Sequence, residues 1–125
     1  MDVKGLTISI KTDEGPVHLV EGLDFSVRAG KTLCIVGESG SGKSITALAL
    51  IRLLNKALSI TGGSAMLDGQ DVFGLSDQAM RRLRGSGMSM IFQEPMTSLN
   101  PAYTVGDQII EAILVHRRMS NKEVR

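Results

Sequence analysis

The residue types able to do chemistry concentrate in one octet, Gly37-Glu38-Ser39-Gly40-Ser41-Gly42-Lys43-Ser44. It fits the pattern glycine, four residues, Gly-Lys-Ser/Thr, the spacing that builds a phosphate-binding loop. Glycines let the backbone curl into dihedrals that other residues avoid, so successive N–H groups can converge on an anion. A helix starting near Lys43 adds about half a positive charge at its N-terminus. Lys43 brings a mobile full charge for the β- and γ-phosphates, and the Ser44 hydroxyl suits Mg²⁺. Gly37, Glu38, Ser39, Gly40, Ser41, Gly42, Lys43 and Ser44 are therefore the expected nucleotide-phosphate site. The fixed positions alone coincide by chance in roughly one chain of this length in a few hundred, given average glycine usage.

The context that confirms such a loop is a buried strand before it and a buried helix after it, and the flanking residues read that way. Thr32-Leu33-Cys34-Ile35-Val36 is a short apolar, β-branched run, as a buried parallel strand should be. Ile45 to Leu54 is helix-length and apolar on nearly every face, broken only by Thr46 and Arg52. Cys34, in the apolar run, reads as core filler rather than a nucleophile.

Before the loop, Leu6, Ile8 and Ile10 alternate with polar residues, as do Leu23, Phe25 and Val27. The two segments read as an antiparallel pair around a polar turn from Thr12 to Pro16. After the helix, Thr61-Gly62-Gly63 breaks the pattern, and Ser64 to Val72 predicts a short hairpin turning at Asp68-Gly69. Ser76 is placed to cap a helix from Asp77 to Arg84, whose Arg81, Arg82 and Arg84 read as a solvated face. Met88 to Phe92 predicts another apolar strand, in which Met88 and Met90 pack. Gln93-Glu94-Pro95 ends it, and Met96 to Tyr103 reads as loop. Thr104 is placed to cap a last helix that fades at Asn121 and carries His116 on its apolar face.

The chain has 125 residues, room for one modest domain or part of a larger one. Apolar content of 42% and charged content of 22% suit a soluble globular protein. A net charge of +1 gives no reason to expect nucleic acid as a partner. One cysteine makes no internal disulfide and suits a reducing compartment. No apolar run approaches the ~20 residues needed to cross a bilayer. The start, Met1-Asp2-Val3-Lys4, opens directly into a strand with no signal-peptide core.

At Gly37 to Leu50, and again at Ile91-Phe92-Gln93-Glu94-Pro95-Met96-Thr97-Ser98-Leu99-Asn100-Pro101, the sequence resembles an ABC transporter ATPase subunit. More narrowly it is similar to the ATP-binding subunits of bacterial dipeptide and oligopeptide importers. Val105 to Ile109, Leu67-Asp68-Gly69 and the strand pair before Gly30 extend the likeness over almost the whole chain. The resemblance implies a fold of α/β class: a P-loop nucleotidase core, with a parallel sheet and helices, behind an N-terminal antiparallel β layer. Residues 1–125 then form the N-terminal part of the ATP-binding domain, with the Walker A loop, the Q-loop and the start of a helical subdomain.

By the same resemblance Gln93 is the Q-loop glutamine, which touches Mg²⁺ or the attacking water beside Lys43 and sits at the hinge to the helical subdomain. The residues themselves leave Gln93 between that role and an ordinary exposed strand end. The implied cofactors are ATP and Mg²⁺. The implied partners are membrane-spanning permease subunits, a second ATP-binding subunit and, indirectly, a periplasmic solute-binding protein. The implied location is the cytoplasmic face of the bacterial inner membrane, held peripherally.

The family's signature, its Walker B strand and its switch histidine would lie beyond position 125, so this chain alone is expected to bind nucleotide without turning it over. The family's adenine-stacking aromatic is also missing from Asp13 to His18, where His18 is either a weak stacker or an ordinary loop residue. Two alternatives stand beside this reading: a nucleotide-binding remnant without transport activity, and a small P-loop kinase. A kinase needs an Arg-rich lid, for which only Arg81, Arg82 and Arg84 are available. Neither Asn55-Lys56 nor Asn121-Lys122 completes a guanine-reading motif.

Overall fold

A computed structural model describes residues 1–93 and 98–117. The chain divides into two compact units, Met1–Arg81 and Arg82–Arg125.

In the first unit, β1 (Asp2–Thr12), β2 (Gly15–Ser26), β3 (Leu58–Leu67) and β4 (Gln70–Asp71) form one antiparallel sheet in the order β2-β1-β3-β4. The expected pair before Gly30 is therefore present, and β2 starts eight residues before Leu23, at Gly15. Its early half escapes a period-2 reading because bulges interrupt the pairing register with β1. Pro16 is tolerated because β2 lies at the sheet edge.

The main irregularity sits where Gly5 in β1 meets Gly63 in β3. Gly5 has a φ of +58° and Gly63 a φ of +89°, and the β1–β3 register shifts between Lys4 and Thr7. A Cβ on Gly63 would lie 2.5 Å from the Lys4 carbonyl oxygen and 2.6 Å from that of Gly5, so the two backbones touch only because a side chain is missing. The extra residue reverses the alternation along β1. Val3 and then Leu6 and Ile8 are all buried, although their numbers change parity. Side chains take over the bonds that the ladder loses: the Gly5 N–H donates to Asp24 Oδ1 (2.6 Å) and the Gly22 N–H to Thr7 Oγ1 (3.2 Å). The glycine pair expected to break the chain at position 62 thus lies within a continuous strand.

The hairpin expected at Ser64 to Val72 is the β3–β4 turn. Asp68 and Gly69 both take positive φ, +48° and +83°, the requirement of a tight two-residue reversal.

Helix α1 (Lys43–Leu50) buries Thr46 and Ala49, and with Ile51 it joins Val3, Leu6, Ile8, Ala65, Val72 and Met80 in the core of this unit. It ends four residues earlier than its apolar run suggests. The Leu53 N–H donates to Leu48 O and the Arg52 N–H to Ala49 O, both at 2.9 Å, which closes a Schellman motif. The left-handed position of that motif, normally glycine, is Arg52 at φ +53°. Arg52 offsets the strain with its guanidinium, which donates to the Leu75 carbonyl and pairs with Asp77 Oδ1 at 3.0 Å.

Helix α2 (Asp77–Ser86) starts as expected, with the Ala79 N–H donating to Ser76 Oγ (3.3 Å). It kinks at Arg84 and Gly85, where Gly85 has a φ of +89°. Arg81 and Arg82 are exposed, in keeping with a solvated face, whereas Arg84, at the kink, is half-buried.

In the second unit, α3 (Val105–His116) is capped by Thr104, whose Oγ1 accepts from the Asp107 N–H (3.1 Å) and donates to Asp107 Oδ2 (2.7 Å). Gln108 ties the preceding turn to the helix: its Oε1 accepts from the Asn100 N–H and its amide donates to Asn100 O, both at 2.9 Å. No described residue of α3 is buried. His116 lies against Gly85, in line with a structural role. Asn121, where this helix was expected to fade, and residues 94–97 of the loop lie outside the described residues.

The two expected apolar strands differ from what is observed. Residues 32–36 carry no strand pairing, and Leu33, Ile35 and Val36 are 42, 45 and 87% exposed. Cys34 is exposed rather than packed as filler. Residues 89–92 likewise form no strand, Met88 makes only an isolated bridge to Arg84, and Ile91 is 93% exposed, while Met88 and Met90 are half-buried. A parallel strand exists only when flanked by partners and covered on both faces. Among the described residues no strand lies beside either segment.

Candidate functional site

The octet from Gly37 to Ser44 forms one compact loop in the first unit. Its first half is a turn: the Ser41 N–H donates to Glu38 O (3.2 Å), with Gly40 at φ +85°. A side chain at Gly40 would meet nothing within 4 Å, so glycine serves the dihedral there rather than the space. Gly42, at φ +87°, is the N-cap of α1, and the first helical bond runs from the Thr46 N–H to Gly42 O (2.8 Å). The N–H groups of residues 43–45 thus lie ahead of the helix's own ladder. No acidic residue in the first turn offsets the positive end of the helix.

Lys43 turns back into this loop. Its ammonium donates to Gly37 O (2.7 Å), Glu38 O (2.6 Å) and Ser41 Oγ (3.1 Å). A Cβ on Gly37 would lie 2.5 Å from Ser41 Oγ and 3.8 Å from Lys43 Nζ, so the space inside the loop exists because position 37 is glycine. Ser44 is exposed in the first turn of α1, and Glu38, Ser39 and Ser41 are exposed around the rim. The N–H groups at the start of α1 and an ammonium beside them, open to solvent, make an arrangement that accepts a multiply charged anion. These residues therefore fit nucleotide phosphates. Among the described residues no cluster of three acidic, histidine or cysteine side chains could hold a metal on its own. A cation here would need ligands from the phosphates as well as from Ser44.

The sequence does not signal what the loop rests on. A Cβ on Gly42 would lie 2.8 Å from Val20 Cγ2 and 3.4 Å from Leu19 O, so β2 is the floor under the last glycine of the loop. His18, two residues before Val20, is not in a loop. It lies in β2, and its Nδ1 shares a 2.8 Å hydrogen bond with the buried Ser9 Oγ, which also bonds Thr61 Oγ1 at 2.7 Å. That three-strand polar link explains His18 as a sheet residue.

Gln93 belongs to the second unit. It is exposed, in a bend that follows residues 88–92. No helix among the described residues is long and apolar enough to cross a membrane.

Residues 20–125 match the family described as ABC transporter. Over 123 residues the chain is 49% identical to the oligopeptide transport ATP-binding protein OppD of Escherichia coli (strain K12), covering 98% of this chain and 36% of OppD. Over 127 residues it is 50% identical to the glutathione import ATP-binding protein GsiA of Escherichia coli O157:H7, covering 97% of this chain and 20% of GsiA. The chain thus spans about a third of the first relative's length and a fifth of the second's. In structure it superimposes on an ATP-binding cassette solved as a dimer in a post-hydrolysis state bound to ADP and Pi. The TM-score is 0.78 at 22% identity, covering 98% of this chain and 51% of that one, which establishes a shared fold.

Proposed function

Because this chain belongs to the ABC transporter family, we propose that it is the ATP-binding portion of an importer subunit for peptides, the class to which OppD and GsiA belong by name. The observation that carries the reading is the Lys43 ammonium held at 2.6 and 2.7 Å over two loop carbonyls, ahead of the open start of α1. In this reading Lys43 and the N–H groups of the loop neutralise the β- and γ-phosphates of ATP, and the Ser44 hydroxyl contributes to Mg²⁺. Phosphoryl transfer depends on positioning and charge stabilisation. The loop supplies both for the transferred group, and hydrolysis is a property of the complete subunit.

Gln93 is the proposed link between the γ-phosphate and the helical part of the subunit that begins with α3. Residues 1–125 correspond to the N-terminal part of the ATP-binding domain. The partners proposed are membrane-spanning permease subunits and a second ATP-binding subunit at the cytoplasmic face of the inner membrane, with a periplasmic solute-binding protein acting through the permease. Isothermal titration of the complete subunit with Mg-ATP tests the assignment. Lys43→Ala is expected to abolish binding, because it removes the full charge facing the phosphates. Equal affinity in the two proteins would refute it.

A further inference from the structure

We infer that Ser41 is the displaceable third acceptor of the Lys43 ammonium, closing the loop when it is empty and giving way to a phosphoryl oxygen when it is filled. The inference rests on the nucleotide reading above and assigns one residue within it a separate role. An ammonium has three N–H donors. In this structure they go to Gly37 O, Glu38 O and Ser41 Oγ, so the acceptors on the loop match the donors of Lys43 one for one. No donor is left over for a ligand. One bond must yield before Lys43 can bind a phosphate, and the three are not equally able to do so.

The two carbonyls belong to the backbone. Glu38 O is also held by the Ser41 N–H at 3.2 Å, so it is fixed in the turn and cannot itself swing aside. The Ser41 hydroxyl hangs on a single rotatable bond, makes the longest of the three contacts at 3.1 Å, and belongs to an exposed residue. It is the acceptor that can swing away at the cost of one side-chain rotation. The pocket that holds it is specific: a Cβ at position 37 would lie 2.5 Å from Ser41 Oγ and 3.3 Å from Ser41 Cβ. Gly37 is therefore required for the closed position of Ser41 as well as for space near the ligand. A ligand that reaches Lys43 with a terminal phosphoryl group displaces the hydroxyl; one without such a group leaves it in place.

Ser41→Ala and Ser41→Thr in the complete subunit test this, with ATP and AMP as paired probes in calorimetry. Ser41→Ala removes a competitor present only in the empty loop, so ATP should bind about 2- to 10-fold tighter, the equivalent of one ordinary hydrogen bond. AMP, which has no β- or γ-phosphate, should bind as to wild type, and Ser41→Thr should restore wild-type ATP affinity. A second readout follows Lys43 directly. Acylation of its amine, mapped by mass spectrometry without nucleotide, should be faster in Ser41→Ala than in wild type or Ser41→Thr, and the difference should vanish under saturating ATP. Unchanged or weakened ATP affinity in Ser41→Ala, an equal shift for AMP, or unchanged Lys43 acylation would each overturn the inference. A wild-type subunit that binds no ATP is a different result, and overturns the nucleotide reading itself.

Discussion

Replacing Gly63 by alanine should be far more damaging than replacing other positive-φ glycines of the same sheet. At φ +89°, alanine meets the left-handed penalty of about 1–2 kcal/mol. The added methyl also meets backbone: it would lie 2.5 Å from Lys4 O and 2.6 Å from Gly5 C and O, about 0.9 Å inside the distance at which ordinary contact begins. No flexible side chain is there to move aside. Relief requires β1 to shift from β3, yet β1 is paired on both edges and carries the buried Val3, Leu6 and Ile8. Overpacking of this kind costs about 1–3 kcal/mol, giving a total of about 2–5 kcal/mol. Gly22→Ala is the matched control. It has a φ of +62° in β2, and a Cβ there meets nothing within 4 Å, so only the dihedral penalty applies. Urea unfolding of both variants, compared at equal m-value, isolates the clash as the difference between them. A Gly63→Ala protein no less stable than Gly22→Ala would refute the backbone-contact argument.

Arg52→Ala should cost about 1–3 kcal/mol in the same assay, since it keeps the left-handed strain and loses the charged hydrogen bond to Leu75 O. Asp77→Asn should cost less than about 1 kcal/mol, because Asp77 is 82% exposed. Thr104→Ala should cost about 0.5–2 kcal/mol, visible as faster amide exchange in the first turn of α3, and unchanged exchange would contradict the cap. Gln93→Ala in the complete subunit should lower transport-coupled ATP turnover more than ATP affinity; unchanged peptide-stimulated turnover in reconstituted vesicles counts against the coupling role. The 125-residue polypeptide expressed alone should self-associate, because Leu33, Ile35 and Val36 lie exposed. Light scattering that reports a monomer would refute this.

What could be read from the residues and what could not divide along a physical line. Local chemistry was legible. The Asp68-Gly69 reversal, the Ser76 and Thr104 caps and the curl of Gly37 to Ser44 each depend on a residue's own dihedral or hydrogen-bonding capacity. Features set by a distant segment were not. Gly62-Gly63 looks like a break until Gly5 is placed opposite it. The early half of β2 loses its period because bulges interrupt its pairing with β1. The stop at Leu50 was hidden because the residue at the left-handed position is an arginine, held by Leu75 and Asp77 more than twenty residues away. The apolar runs at 32–36 and 88–92 carry strand composition, but composition alone does not supply the neighbours that make a strand.

The contact beneath Gly42 ties two parts of the chain that would otherwise vary separately. The hairpin of β1 and β2 looks like a decorative layer, and the loop like a self-contained motif. With Val20 under Gly42 they share a clearance of one methyl group. A hairpin grafted from a relative would have to bring a side chain no thicker than valine at that point, or lift the start of α1 and every donor aimed from it. Enlarging Val20, well outside the octet, is therefore a way to detune phosphate binding without touching any residue of the motif.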